Sequence, residues 1–417
     1  MKNTVKSRTI ESKASDNINR ELYILSLSRF FEDMGTGMLV TLIPLYIVNL
    51  HTSILPDMPL ILKAGIVMTV FGLFNAIAQP IMGKLSDKID RRKPFIIFGL
   101  VGYTVFSLMY AHVTSYEQLL VLRIMQGITV GATIPAIITM VTHLSTPATR
   151  GKAVGIYSTI RGLGFGLGPV IGGAVATYYS FNAAFYLCAA FGLVSFILVN
   201  LLVKETHSTC IEKVMDEDVK NGKGSILVLA GAMFMMMVGI MMIVALLPEY
   251  EIRLGASEFS LGIALSAYML ARLIFQTPIG VLSDRIGRKK LIVGGLILSA
   301  PLVIGTGYVT SIEQLILLRA LQGFTIAAID TPVIALAGDL SGGDMVGSKL
   351  SMITTAYAGG MAIGPIFGGL LAGYVTFETP FYACAALMVI AAAIVWKKVD
   401  EPMHHKGIVD FECGEIG

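Results

Sequence analysis

Apolar residues along the chain gather into twelve long runs, separated by short polar breaks. A helix needs about 20 apolar residues to cross a bilayer, and on that ruler the runs fall near 22–49, 61–83, 94–112, 118–141, 152–178 and 181–203, then 225–247, 258–282, 290–309, 313–338, 348–375 and 379–397. Between the sixth and seventh runs lies a charged linker, 204–224, and polar tails occupy 1–21 and 398–417. The pattern predicts an all-α integral membrane protein with two six-helix units, 22–203 and 225–397. The breaks are not equivalent. Gly83-Lys84-Leu85-Ser86-Asp87-Lys88-Ile89-Asp90-Arg91-Arg92-Lys93 concentrates charge between runs two and three, and Gly280-Val281-Leu282-Ser283-Asp284-Arg285-Ile286-Gly287-Arg288-Lys289-Lys290 repeats it between runs eight and nine.

Composition agrees with lipid as the solvent. Hydrophobic residues make up 55% of 417 and charged ones 14%, with a mean hydropathy of +0.75, against about 25% charged in a soluble domain. The net charge of +3 says little, but its placement orients the chain. Lys84 to Lys93, Arg150 and Lys152, Lys204 to Lys223, Arg285 to Lys290 and Lys349 occupy alternate connections, and the intervening ones offer only Lys63 and Arg253. Basic residues stay on the cytoplasmic side, so both termini are expected there, in a multi-pass protein of the cell membrane. The first twenty residues lack the short apolar core of a cleaved leader, which leaves the first span as targeting signal. The four cysteines are scattered, two in spans (Cys188, Cys384) and two in polar segments (Cys210, Cys413), and suggest no disulfide frame.

The two units are copies. Ser115-Tyr116-Glu117-Gln118 through Arg123-Ile124-Met125-Gln126-Gly127 matches Ser311-Ile312-Glu313-Gln314 through Arg319-Ala320-Leu321-Gln322-Gly323, and Gly164, Gly168-Pro169 and Gly172-Gly173 match Gly360, Gly364-Pro365 and Gly368-Gly369. Phe185-Tyr186-Leu187-Cys188 matches Phe381-Tyr382-Ala383-Cys384 at the same offset of 196. Six spans repeated in one orientation imply two bundles related by an axis along the membrane normal, with a site between them.

On these motifs the chain resembles the major facilitator superfamily, and within it the drug–proton antiporter branch with twelve spans. The two Gly-x-x-x-Asp-Arg/Lys-x-x-Arg-Arg/Lys-Lys loops are the family's most specific mark, although Asp90 stands where the family usually has glycine. Arg123-x-x-Gln126-Gly127 resembles the motif associated with proton transfer, and the run from Gly164 to Gly173 resembles the antiporter motif; span eleven carries an equally good copy. The resemblance implies a major facilitator fold and transport by alternating access.

Particular residues then become candidates. Gly83, Asp87, Arg91 and Arg92, with Gly280, Asp284, Arg285 and Arg288, are expected to form charged latches to the opposite half that break on each cycle; positive-inside orientation alone needs no Asp. Gly168, Pro169 and Gly172, with Gly364, Pro365 and Gly368, combine close helix approach with a proline that permits bending. Charges inside spans usually mark function. Asp33 lies roughly 16 Å into the first span at about 1.5 Å per residue, close to the midplane, and suits a proton carrier, with Glu32, Arg123 and Asp330 as further proton-coupling candidates. The competing account is local: Arg29 pairs with Glu32 or Asp33 one turn on. Arg161, Arg272 and Asp330 have uncharged repeat mates, Tyr357, Asn75 and Ile134, which points them to the substrate or ion path; the alternative is that each pairs with another charge for stability. With Arg161 and Arg272, Asn75 and Met237 are candidate cavity side chains, the latter from a run of six methionines between Met233 and Met242. Methionine suits adaptable apolar binding.

No phosphate-cradling Gly-x-x-x-x-Gly-Lys-Ser/Thr occurs, so the expected energy source is a proton gradient and no cofactor, metal or catalytic residue is assigned. The expected function is proton-coupled export of small amphipathic or hydrophobic compounds by a monomer whose partners are its substrate, protons and the bilayer, with no nucleic acid. The alternatives are proton-linked uptake of a sugar or organic acid, disfavoured by the few amides in the spans, and a membrane sensor that binds without transporting.

Overall fold

A helix in hydrocarbon satisfies its own backbone, and only helices or closed barrels can do so. In the computed structural model, which describes residues 2–53, 56–145, 149–205, 223–340 and 346–399, twelve helices are long and apolar enough to span. They are α1 (Lys2–Tyr46), α2 (Leu60–Ile89), α3 (Lys93–Tyr110), α4 (Tyr116–His143), α5 (Arg150–Tyr178), α6 (Phe181–Leu202), α7 (Lys223–Leu254), α8 (Glu258–Ile286), α9 (Arg288–Thr306), α10 (Ile312–Asp339), α11 (Val346–Tyr374) and α12 (Thr379–Lys398). Most of the linker and nearly all of the C-terminal tail, including Cys210, His404, His405 and Cys413, lie outside the described residues.

Several helices outrun the apolar stretches that announced them. α2 continues from Gly83 to Ile89, so most of the first charged patch is the helix's last turns and not a loop. Hydropathy reports where hydrocarbon begins and ends; the hydrogen-bond ladder continues into the polar interface for as long as the sequence allows. The repeated Ser-x-Glu-Gln segments are capping boxes at the starts of α4 and α10. Ser115 Oγ accepts from the Gln118 amide at 3.3 Å, and the Gln118 side chain accepts in return from the Thr114 amide at 3.1 Å. Ser311 and Gln314 repeat the arrangement with Thr310.

α1 to α6 and α7 to α12 form two bundles with matching neighbours. α1 packs on α5 and α6, α2 on α4, and α3 on α4 and α6; α7, α8 and α9 repeat those pairings with α11, α12 and α10. The bundles meet along α2 with α11 and α5 with α8. Exposed Val101, Val105, Leu193, Ile197, Ile297, Val389 and Ile390 cover α3, α6, α9 and α12, the face that lipid would solvate. Exposed Tyr178, Tyr179, Tyr308 and Tyr374 ring the far end, opposite the basic loops, as interfacial aromatics do.

The glycine runs set how closely the helices approach. A Cβ on Gly164 or Gly168 would clash with the carbonyl oxygens of Phe30 or Met34 on α1, and one on Gly172 would lie 2.9 Å from Met38 Cβ. On the other bundle a Cβ on Gly360 would lie 2.5 Å from the Phe234 carbonyl, and one on Gly364 2.8 Å from that of Val238. The three-glycine stripes, repeating every fourth residue, thus seat α5 on α1 and α11 on α7. Since no flexible side chain can move aside, Gly168→Ala is expected to destabilise the protein by about 1–3 kcal/mol. Gly231→Ala, which meets nothing within 4 Å, is expected to be neutral or to stabilise by up to about 1 kcal/mol. Unfolding midpoints of the two variants in detergent micelles check this.

Candidate functional site

Gly164 brings α5 against the α1 backbone, and one turn earlier Arg161 reaches a cluster of buried charges there. Arg29 Nη1 lies 2.7 Å from Glu32 Oε2, and Arg29 Nε donates to Asp33 Oδ2 at 2.9 Å. Arg161 Nε donates to the same Asp33 oxygen at 3.0 Å. Arg29, Glu32 and Asp33 are buried, whereas the Arg161 side chain is 42% exposed toward the space between the bundles. Asp33 is therefore clasped by two guanidinium groups from different helices. Glu32 has one, and its Oε1 has no hydrogen-bond partner. The Tyr103 hydroxyl from α3, buried against Gly35 one turn beyond Glu32, also has none.

In the second bundle Arg272 of α8 forms an ion pair with Asp330 of α10 and donates through Nη1 to the Tyr357 hydroxyl of α11 at 3.2 Å. The charged residues whose repeat mates are neutral are thus neutralised by residues on other helices: Arg161 by Asp33, and Arg272 and Asp330 by each other. The alternative in which these charges pair with one another holds for Asp33 and Asp330 in this structure. Spacing along one helix reveals only local partners such as Arg29.

Arg123 and Arg319 keep their symmetry. Each is buried, donates to the glutamine three residues on (Gln126 at 3.0 Å, Gln322 at 2.9 Å) and lies over aromatic rings. Neither forms an ion pair among the described residues.

One cavity candidate falls elsewhere. Met237 is 1% exposed and packs on Gly360 inside its own bundle, because five of the six methionines turn inward to fill the α7 side of the core and only Met235 is partly exposed. Asn75 Oδ1 accepts from Gln79 on its own helix at 2.7 Å. The residues that do face across the bundles include Val40, Phe165, Met241, Leu265 and Met269, which with Arg319 line a void of about 10 Å³. That is near the lower limit for one water. Met241 belongs to the methionine run, but only the rotation of α7 singles it out.

In this structure, which is open on their side, the charged loops hold helices of their own bundle, and no latch to the opposite half is formed among the described residues. Arg92 pairs with Asp87 at 3.0 Å and donates to the Ser86 carbonyl at 2.6 Å. Glu205, just beyond α6, accepts from the amides of Arg92 and Lys93 at 2.7 and 3.1 Å, and the Lys93 ammonium caps the α6 carbonyls of Asn200 and Val203. In the second copy Arg288 joins Asp284 at 3.1 Å to Asp339 at the end of α10. Glu205 and Asp339 were not legible in the motif because they are distant in sequence. Gly83 and Gly280 lie against Pro135 of α4 and Thr331 of α10, while Arg91 and Arg285 are exposed. Asp90 has φ 51° and its mate Gly287 φ 103°. The turn demands a left-handed residue, which explains the family's glycine and why Asp, which tolerates that region better than most side chains, can replace it.

Contacts between bundles lie from the midplane to the far end. Among the glycines, Gly72 meets Ala362 and Gly162 meets Leu273 of the other bundle, while Gly151 and Gly155, nearer the basic end, meet nothing within 4 Å. The structure is closed at the far end and open toward the basic loops. Two hydrogen bonds, related by the repeat, cross that closed interface just after the prolines: the Val170 amide donates to Ser266 Oγ at 3.1 Å and the Ile366 amide to Thr69 Oγ1 at 3.0 Å. Beside them Gly262 faces the Pro169 carbonyl and Gly65 the Pro365 carbonyl. The glycine–proline runs therefore serve both close packing and cross-bundle bonding.

The sequence model for the Major Facilitator Superfamily matches residues 25–218 and 229–409. Among curated relatives, the chain is 26% identical over 399 residues to the multidrug resistance protein MdtG of Escherichia fergusonii, covering 93% of this chain and 97% of that one. It is also 26% identical over 392 residues to MdtG of Salmonella arizonae, covering 92% and 96%. A solved structure of a bacterial homolog to the human lysosomal transporter Spinster, inward-facing and unoccupied, superposes with a TM-score of 0.74 at 16% identity, covering 91% of this chain and 96% of that one. The human organic anion transporter MFSD10 gives 0.66 at 17%, covering 91% and 99%. Both likenesses are of fold.

Each cross-bundle hydrogen bond is worth about 1 kcal/mol, so Ser266→Ala with Thr69→Val is expected to shift the balance away from far-end closure by about 2 kcal/mol. Spin labels at Asp57 and Val375, beside the Pro59–Gly373 contact, should report a longer-distance population in the double variant that wild type lacks.

Proposed function

The chain belongs to the Major Facilitator Superfamily and is a multi-pass membrane transporter, and on that premise we propose that it exports small amphipathic or hydrophobic compounds in exchange for protons. Access to a site between the bundles alternates between the two sides. The site lies in the cell membrane, with both termini cytoplasmic; the working unit is a monomer with the proton gradient as its energy source and no cofactor.

The observation that carries the proton reading is the unequal treatment of the two acids on α1. Asp33 is held by Arg29 and Arg161, so protonating it would strip two guanidinium groups of their partner. Glu32, buried inside the bundle, keeps a carboxylate oxygen without a protein donor among the described residues. A buried carboxylate without full compensation is the group that gains most from taking a proton. Glu32 is thus the carrier and Asp33 the clamp, reversing the order read from the sequence. With both acids ionised the cluster of Arg29, Arg161, Glu32 and Asp33 is neutral. A proton on Glu32 leaves one positive charge in excess, turns Arg29 more fully onto Asp33, and weakens the hold of Asp33 on Arg161. Arg161, which points into the space between the bundles, transmits that change to the transport path.

Alternation is supported by the location of the contacts. Among the described residues the bundles meet from the midplane to the far end through glycine faces and hydrogen bonds that separation would break without unfolding either bundle. Export of varied apolar compounds is supported by the name multidrug resistance protein borne by the MdtG relatives and by the adaptable methionine-bearing interface.

In proteoliposomes with an imposed pH gradient and an internal pH-sensitive dye, drug-triggered proton movement is expected to fall about a hundredfold or more in Glu32→Gln, with the fold retained. Asp33→Asn is expected to lose about 1.5–3 kcal/mol of stability as well, because it removes the charged acceptor shared by Arg29 and Arg161. Undiminished proton movement in Glu32→Gln would move the carrier to Asp33 or Asp330. Protons entering together with a sugar or organic acid would refute export.

A further inference from the structure

The interior of the spans is short of negative charge. Well away from span ends stand Arg29, Arg123, Arg161, Arg272 and Arg319, against Glu32, Asp33 and Asp330. The three acids are taken by Arg29, Arg161 and Arg272. Arg123 and Arg319 remain without an ion pair among the described residues, and a buried unpaired cation is costly wherever it sits.

The two differ in what surrounds them. Arg123 is closed in by its own bundle, with Nη2 on Met68 Sδ at 3.2 Å and the Phe71 and Tyr110 rings about its guanidinium. Arg319 is 3% exposed and held by Gln322 and by the Tyr268 ring at 4.4 Å; its Nε, like that of Arg123, has no partner among the described residues, but Arg319 forms part of the wall between the bundles. Val40 and Phe165 supply the facing wall from the first bundle; Met241, Leu265 and Met269 complete it from the second. When the bundles part at the far end, that wall divides. What opens is an apolar cleft with one guanidinium on its floor and no carboxylate beside it.

An apolar pocket with a single well-placed polar group sets the orientation and class of its ligand. A cationic amphiphile would enter a region already in positive surplus, whereas an anionic head would supply the counter-charge that Arg319 lacks. We propose that Arg319 anchors the acidic head of an amphipathic organic anion, a carboxylate or sulfonate, while Phe165, Leu265, Met241 and Met269 hold its apolar body. This names a substrate class for the exporter proposed above and rests on that reading. Guanidinium recognises planar and tetrahedral oxyanions through paired N–H donors, and the free Nε supplies one of them.

The test uses octanesulfonate and octyltrimethylammonium, equal tails with opposite heads, titrated calorimetrically into the full-length protein in nanodiscs; each is then followed for proton-linked efflux from proteoliposomes. The sulfonate is expected to bind about tenfold or more tightly than the ammonium, to lose that advantage in Arg319→Gln, and to keep it in Arg319→Lys. Preference for the ammonium, or sulfonate binding indifferent to Arg319→Gln, would overturn the anion subsite and leave export standing. Failure of the protein to bind or move either amphiphile would overturn both. If Arg319→Gln does not fold, Met269→Glu places a carboxylate in the same wall. It should reverse the preference toward the ammonium, and an unchanged preference would count against the subsite.

Discussion

Hydrocarbon offers no hydrogen bonds, and the rest of this structure follows from that. Every backbone group within the bilayer is satisfied inside a helix, and helices then associate without a hydrophobic driving force between them. Close backbone approach takes its place. The glycine stripes of α5 and α11 permit that approach to α1 and α7, and the other packing within each bundle is arranged around those two seams. The same constraint governs charge. With no water to solvate it, each arginine or carboxylate inside the spans has to find a protein partner, and which of them find one, and how completely, divides structural from chemical residues.

Internal duplication makes that division visible. Devices that hold a bundle together occur twice: the capping boxes of α4 and α10, the glycine seams, the loop ion pairs, and the amide-to-hydroxyl bonds after Pro169 and Pro365. Among the departures from the repeat are charges inside the spans. Arg161 with Asp33 and Arg272 with Asp330 neutralise one another by different routes in the two halves, which leaves the halves alike in architecture and unlike in chemistry. Arg123 and Arg319 show the converse case, residues alike in sequence whose surroundings differ because only one lies in the dividing wall.

The interface between bundles is weak by design of its materials. It consists of glycine faces, apolar side chains such as Phe165, Leu265 and Met269, and a few hydrogen bonds to hydroxyl groups and to the Glu258 carboxylate, without an ion pair among the described residues from the midplane to the far end. Such a contact holds one state yet yields to a few kcal/mol, the scale on which a proton or a substrate can act. The strong contacts, such as those of Arg92 with Asp87 and of Arg92 and Lys93 with Glu205, lie within bundles and keep each a unit while the interface changes.

The sequence alone determined the twelve spans, the duplicated six-helix units and the family, because burial in lipid imposes length and apolarity on every segment separately and duplication leaves matched motifs. It also identified the residues that matter electrically, since charge in hydrocarbon is rare. What it did not reveal was pairing and facing. Asp33 looked like a proton carrier with at most a local partner and proved doubly held; Met237 looked like a cavity residue and proved to be packing; the loop acids, read as latches to the other half, hold helices of their own bundle in this open state. Each of these depends on a partner many residues away, such as Arg161, Gly360, Glu205 or Asp339, and on the rotation of a helix about its axis. Only the tertiary structure decides those, because side-chain partnership is set by distance in space, and a motif records distance along the chain.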